Sequence, residues 1–253
     1  MASTLEQRSR SKRSGRAPRS FPRRGRKRFQ RLFESKDPHR LSGDEYRRRV
    51  QKHYDGPAGA MLSLASLVSL HEPLAGRLFH TRRFDLSGCR RILDVGAGAG
   101  QLLRHLLRYA DAEAEIVCFD LSHAMLKRAQ ARLRSDRPRP VVSDMARLPF
   151  PDASFDCVTC GWVLEHLPDP RPGLRELARV MQPGGKLLLL TTEDNLTGAL
   201  CSRTWNCRTH NRARLSRMCQ ELGLPWTRQL WFSPVHRALR IGGILVEAGR
   251  ASS

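Results

Sequence analysis

The stretch ILDVGAGAGQ, residues 92–101, decides the fold. A short apolar run carrying one aspartate, Asp94, gives way to glycines at every second position, Gly96, Gly98 and Gly100. Apolar residues followed by a glycine turn and then by GQLLRHLLRYA read as a strand, a tight turn and a helix. Glycines so spaced mark a backbone that something approaches closely, either phosphates or a ligand that brings none.

The same rhythm continues on both sides of this turn. RRILDV, AEIVCFD, PVVSD, FDCVTCGWV and GKLLLLTTE read as five strands. SHAMLKRAQARLRS, with Ser122 as its cap, and RPGLRELARVM read as helices between them. Strands alternating with helices require right-handed crossovers and a mostly parallel sheet covered on both faces. NRARLSRMCQELGL reads as a further helix, and TRQLWFS and GGILVEA as a closing antiparallel edge. Before the first strand, two helices are expected over 43–54 and 58–79, broken at Gly56-Pro57. The expected organisation is a basic arm over 1–41, a helical lid over 42–84 and an α/β domain over 85–253.

Charge and cysteine bound the function class. Residues 1–31 hold twelve Lys/Arg and one acid, Glu6, so they carry +11 of the chain's net +21. That Arg- and Ser-rich segment buries too little surface to order itself. It suits weak nucleic-acid or polyanion binding, a transit peptide, or a plain solvated tail. No apolar run approaches the roughly 20 residues of a membrane span, and no apolar signal region stands at the N-terminus. Seven cysteines, an odd number, do not suggest a secreted disulfide framework. The expectation is a cytoplasmic protein, or an organellar one if residues 1–31 are a transit peptide.

In an open α/β sheet, ligands bind outside the carboxyl ends of the strands, where the strand order reverses. The dinucleotide fingerprint needs a third small residue at its sixth place, which here is Gln101, so NAD and FAD are disfavoured. Asp120 closes the second strand, where a carboxylate can accept both hydrogen bonds of a ribose diol. Asp144 closes the third and can accept from an exocyclic amine, with Met145 and Leu148 placed to sandwich an adenine. GWVLEHLPDP places Trp162, Glu165 and His166 at the same rim. Glu193, Asp194 and Asn195 follow the fifth strand as a second polar cluster there.

ILDVGAGAGQ, FDLSHAML, SDMARLPFPDASFD, VLEHLPDP and ELARVMQPGGKLLLLTTE stand in this order over residues 91–192. With them the chain resembles the class I S-adenosylmethionine-dependent methyltransferases, nearest the ubiquinone/menaquinone-biosynthesis branch. The resemblance implies a Rossmann-like, seven-stranded, mostly parallel sheet with an antiparallel last strand. It implies S-adenosyl-L-methionine as cofactor, held by Asp94, Gly96, Ala97, Gly98 and Gly100 at its methionine half. Asp120 would take the ribose and Asp144 with Met145 the adenine, with Leu121 and Leu164 as further cofactor-binding residues. His166 is the candidate base or substrate orienter, the alternative being a packing and cofactor-contact role. A helix folded over the site would bring in Tyr46 or Tyr54. The favoured acceptor is a small molecule methylated on O, N or C. RNA is the alternative, through the basic arm, and a non-catalytic cofactor-binding regulator the second.

Two cysteine features carry less weight. Cys157 and Cys160 lie three apart in a strand and point to opposite faces, so they cannot converge on one ion. Cys201, Cys207, His210 and Cys219 match no common zinc spacing. Trp205, Arg208, His210 and Arg212 in that insert are candidates for the acceptor pocket.

Overall fold

The computed structural model describes residues 71–205 and 207–251, together with Glu45, Arg48 and Lys52. Those three isolated residues are helical, and the expected second helix is described only from His71 onward. The arm, the rest of the expected lid, and Tyr46 and Tyr54 lie outside the described residues.

Five parallel strands are β1 (Arg91–Val95), β2 (Glu115–Asp120), β3 (Pro138–Val142), β4 (Phe155–Gly161) and β5 (Met181–Thr191). β6 (Trp226–Gln229) and β7 (Ile244–Gly249) complete a sheet of order β3-β2-β1-β4-β5-β7-β6. β7 runs against both its neighbours, so it alone is reversed. The order turns around between β1 and β4, and the glycine turn leaves β1 at that point.

The helices are α1 (His71–His80), α2 (Leu103–Tyr109), α3 (His123–Leu133), α4 (Pro170–Val180), α5 (Leu196–Trp205), α6 (Arg212–Glu221) and α7 (Pro234–Leu239). Their starts are written in short polar side chains. Ser122 Oγ accepts from Met125 N at 3.1 Å, Asp169 from Arg171 N at 3.0 Å and Asn211 from Arg214 N at 3.1 Å.

Both faces of the sheet are covered, which is why its central strands are apolar without interruption. Leu187 and Leu189 face the helices α4 and α6, through Leu174, Leu177, Leu215 and Met218. Leu188 and Leu190 face α1 and α2, through Leu78, Phe79, Leu103 and Leu106. Cys160 belongs to the first of these cores and Cys157 to the second, as alternation along a strand demands. A buried ion pair fastens α1 to α3. Arg132 Nη2 lies 2.5 and 2.6 Å from the two carboxylate oxygens of Glu72.

Several boundaries differ from expectation. β3 ends at Val142, two residues before Asp144, which instead opens a turn by accepting from Ala146 N at 2.8 Å. β5 starts at Met181, four residues early, because its register against β4 jumps from Phe155↔Met181 to Cys157↔Lys186 across Pro183-Gly184-Gly185. α5 and α7 were not expected, and β7 inserts between β5 and β6. Among the described residues no helix is long and apolar enough to cross a membrane.

Candidate active site at the strand ends

Consecutive carboxyl ends of β3, β2, β1 and β4 bring the expected site residues to one rim. The glycine turn is tied to its neighbour strand by Ala97 N donating to Phe119 O at 2.9 Å and Gly98 N to Asp120 Oδ2 at 2.9 Å. The other oxygen of Asp120 accepts from Ser122 N at 2.9 Å. Asp120 therefore holds both the turn and the start of α3. Leu121, half-buried, follows it at the strand end.

The three glycines have different reasons. A Cβ on Gly96 would lie 2.1 Å from Val163 Cγ2, so the β4 rim closes on that residue. A Cβ on Gly100 would lie 2.9 Å from Leu133 Cδ1 of α3. Only at Gly98 is the space largely open, its nearest neighbour being the Gln101 side chain at 3.1 Å. All three have positive φ, between 53° and 88°. Packing adds a second reason for glycine at Gly96 and Gly100, whereas at Gly98 the positive φ is the main one.

Asp94 lies beneath this turn and is fully buried. Thr159 Oγ1 donates to its Oδ1 at 2.7 Å from the adjacent strand, where the two residues are in register. Its Oδ2 is buried with no hydrogen-bond partner. Burial raises the carboxyl to about 7; the Thr159 hydrogen bond opposes the shift and the charge of Asp120 adds to it. A buried, half-satisfied carboxylate costs several kcal/mol unless a cation completes it. The signal for Thr159 was available: a polar residue inside the apolar strand FDCVTCG needs a buried partner.

The β4 rim is shaped by Trp162, which adopts φ 57°. A bulky residue in the left-handed region is an outlier, and it turns the chain off the strand into a 3-10 turn, Leu164–His166. Leu164 is fully buried, while His166 is half-buried at the end of that turn.

Glu165 was expected at the rim but is turned inward. It is buried, accepting from Thr191 Oγ1 at 2.7 Å and Thr192 Oγ1 at 2.8 Å, and burial raises its carboxyl above the ordinary range. It knots the ends of β4 and β5 together. Met145 and Leu148 are likewise packed into the core, so their side chains do not stand open as faces for a ring.

The acceptor-pocket candidates behave unequally. Arg212 grips both oxygens of Glu193 at 2.8 Å, the Gly243 carbonyl at 3.0 Å and the Gln229 side chain, and lies over the Trp231 ring. That makes it a clamp across β5, β6 and β7. Arg208 donates to the Pro168 carbonyl. His210 is pushed down to about 4 by burial, and is therefore neutral. Trp205 is half-buried at the end of α5. Among the described residues no three His, Cys, Asp or Glu side chains converge as a metal set.

Residues 93–189 match the family described as a methyltransferase domain. The ubiquinone/menaquinone biosynthesis C-methyltransferase UbiE of Idiomarina loihiensis is 37% identical over 121 residues, 45% of this chain and 48% of that one. The chain thus spans about half the length of the curated relatives it matches. Among solved structures, geranyl diphosphate C-methyltransferase from Streptomyces coelicolor superposes with a TM-score of 0.61 at 14% identity, over 81% of this chain and 98% of that one. An S-adenosylmethionine-dependent methyltransferase from Mesorhizobium loti gives 0.56 at 18% identity, over 69% and 98%.

Proposed function

We propose that this chain, which carries a class I S-adenosylmethionine-dependent methyltransferase domain, methylates a small-molecule acceptor at the rim formed by β1, β2, β3 and β4. The observation that carries the reading is Asp94 Oδ2, a buried carboxylate oxygen without a partner beneath an open glycine. A ligand that is cationic at its amino-acid end, and brings no phosphate to the turn, fits that pair of features. When bound, S-adenosylmethionine supplies a methyl carbon already activated by a sulfonium.

The residues of this chain have the remaining tasks of binding, alignment and water exclusion. Asp94 with Gly96, Ala97, Gly98 and Gly100 would hold the methionine half. Asp120 would hold the ribose and Asp144 the adenine side, with Leu121 and the backbone at Met145 and Leu164 as further contacts. His166 would orient the acceptor or take its proton. The name of the curated relatives, C-methyltransferases of ubiquinone/menaquinone biosynthesis, supports a carbon acceptor, and an apolar small molecule is the acceptor favoured here.

Calorimetry with S-adenosylhomocysteine tests the cofactor, and the wild type should bind while Asp120→Ala loses roughly 2–4 kcal/mol. Tight NAD binding, or unchanged affinity in the variant, would overturn the assignment. Labelled cofactor offered with metabolite extract and with total RNA tests the acceptor class. Label is expected in the small-molecule fraction, and deletion of residues 1–31 should leave that transfer intact. Label confined to RNA would transfer the reading to the nucleic-acid class.

A further inference from the structure

Five large apolar side chains are exposed among the described residues: Val142, Leu196, Leu200, Val235 and Leu239. All five belong to the rim where the strands end. Val142 closes β3, and α5 follows the end of β5. α7 lies between the end of β6 and the start of β7, where Ile244 pairs with Thr191 at the last residue of β5. A rim hydrogen bond joins the two helices' neighbourhoods, Asn195 Nδ2 donating to Arg240 O at 3.5 Å.

α5 is packed the wrong way round for a soluble helix. Its buried residues are Gly198 and Ser202, one turn apart, while Leu196 and Leu200, also one turn apart, are 63% and 55% exposed. This orientation is fixed by specific contacts. A Cβ on Gly198 would lie 1.8 Å from the Glu193 carbonyl, and Ser202 Oγ donates to the Cys207 carbonyl. Rotating the helix to bury its leucines would break both. α7 buries no residue at all, and Val235 and Leu239 are 60% and 63% exposed, again one turn apart. Two exposed apolar pairs on helices at the same rim are the feature a docking surface requires.

Charge says what kind of surface. Neither 196–205 nor 233–243 contains an acid, and Arg203, Arg237 and Arg240 stand exposed on the same two segments. Exposed leucines and valines with arginines beside them, and no acid on either segment, suit contact with the headgroup boundary of an anionic lipid surface.

We propose that the outward faces of α5 and α7 seat the rim on an anionic membrane surface, so that an apolar acceptor enters the site from the lipid. The part concerning the acceptor rests on the methyltransferase reading. The docking itself does not, since it needs only exposed side chains.

The test is flotation of the full-length protein with phosphatidylcholine vesicles, with and without phosphatidylserine, at low and high salt. The comparison is a variant carrying Leu196→Gln, Leu200→Gln, Val235→Gln and Leu239→Gln. All charges are retained, so the electrostatic attraction of residues 1–31 is common to both proteins. At high salt the wild type should keep a bound fraction on phosphatidylserine vesicles, and the variant should lose it by at least about tenfold. Binding of S-adenosylhomocysteine, measured on the same samples, should be equal in both. Equal flotation of the two proteins, or no salt-resistant binding by the wild type, would overturn the proposal. A wild-type dimer that becomes a monomer in the variant, with no vesicle binding by either, would assign the patch to a second copy instead. Failure of cofactor binding alone would overturn the methyltransferase reading and leave the docking result standing.

Discussion

Thr159 donates a hydrogen bond of 2.7 Å to Asp94 Oδ1 across β4 and β1, and Oδ2 of the same carboxylate is left buried without a partner. The fold therefore favours the protonated carboxyl, raised from 3.8 to about 7. Below about pH 4 both folded and unfolded chains hold this proton, and the residue costs nothing. Between about pH 4 and 7 the unfolded chain releases it first, so stability falls as pH rises, by a total on the order of 4 kcal/mol. Above 7 the cost is constant. Asp94→Asn keeps the acceptor for Thr159 and removes the ionisation. Its Tm without ligand should exceed that of the wild type at pH 8, with the gap closing toward pH 5, while affinity for S-adenosylmethionine falls by tenfold or more. A variant no more stable than the wild type at pH 8 would refute this account.

Differences among the glycines make a second prediction. Gly98→Ala forces φ 53° on an alanine, at a cost of roughly 1–2 kcal/mol, and meets only the mobile Gln101 side chain. Gly96→Ala adds to the same backbone strain an overlap with Val163 at 2.1 Å, which costs a further 1–3 kcal/mol or so. Urea unfolding should rank Gly96→Ala clearly below Gly98→Ala. If Gly98 faces the ligand as proposed, calorimetry should also find S-adenosylhomocysteine binding weakened in Gly98→Ala. Equal destabilisation of the two would mean that Gly98 also serves the packing.

How far the sequence reached depended on whether a residue's partner was local. Alternating strands and helices, the glycine turn and the Ser122 cap follow from periodicity and short-range hydrogen bonding, and the structure has them in the order read, with the bounds of β3 and β5 shifted. α5 escaped because periodicity finds helices by an apolar stripe facing the core, and this helix turns Gly198 and Ser202 inward. α7 escaped for a related reason, as it buries nothing. Glu165 looked like a rim carboxylate until Thr191 and Thr192, 26 and 27 residues away in the chain, were seen to hold it. Arg212 was read toward the acceptor because its partner Glu193 lies 19 residues back, across the whole of α5.

A third prediction concerns the attachment of α1. Arg132 grips Glu72 with both carboxylate oxygens engaged, and Arg104 stands 3.5 Å from the same group. Arg132→Met leaves a buried carboxylate with only the longer contact. It should cost roughly 2–4 kcal/mol in urea unfolding. Replacing both partners, as Glu72→Gln with Arg132→Met, should cost less than the two single changes summed, with a coupling of about 1–3 kcal/mol. Additive losses would show that the pair contributes packing rather than charge.

The last prediction assigns the work of His166. Its main-chain N donates to Val163 O at 2.9 Å, so the 3-10 turn that follows Trp162 sets its position, while its neighbour Glu165 is committed to Thr191 and Thr192. Of the two ionisable residues in VLEHLPDP that precede the prolines, only the histidine is left part-exposed on the rim. If it takes the acceptor's proton, His166→Ala should lower kcat by about 10²-fold or more with cofactor affinity little changed. His166→Asn, which keeps the size and one hydrogen bond, should then be as slow as the alanine variant. Weakened S-adenosylhomocysteine binding with turnover preserved at saturation would make His166 a cofactor contact and move the search for the base to Glu193 and Asp194.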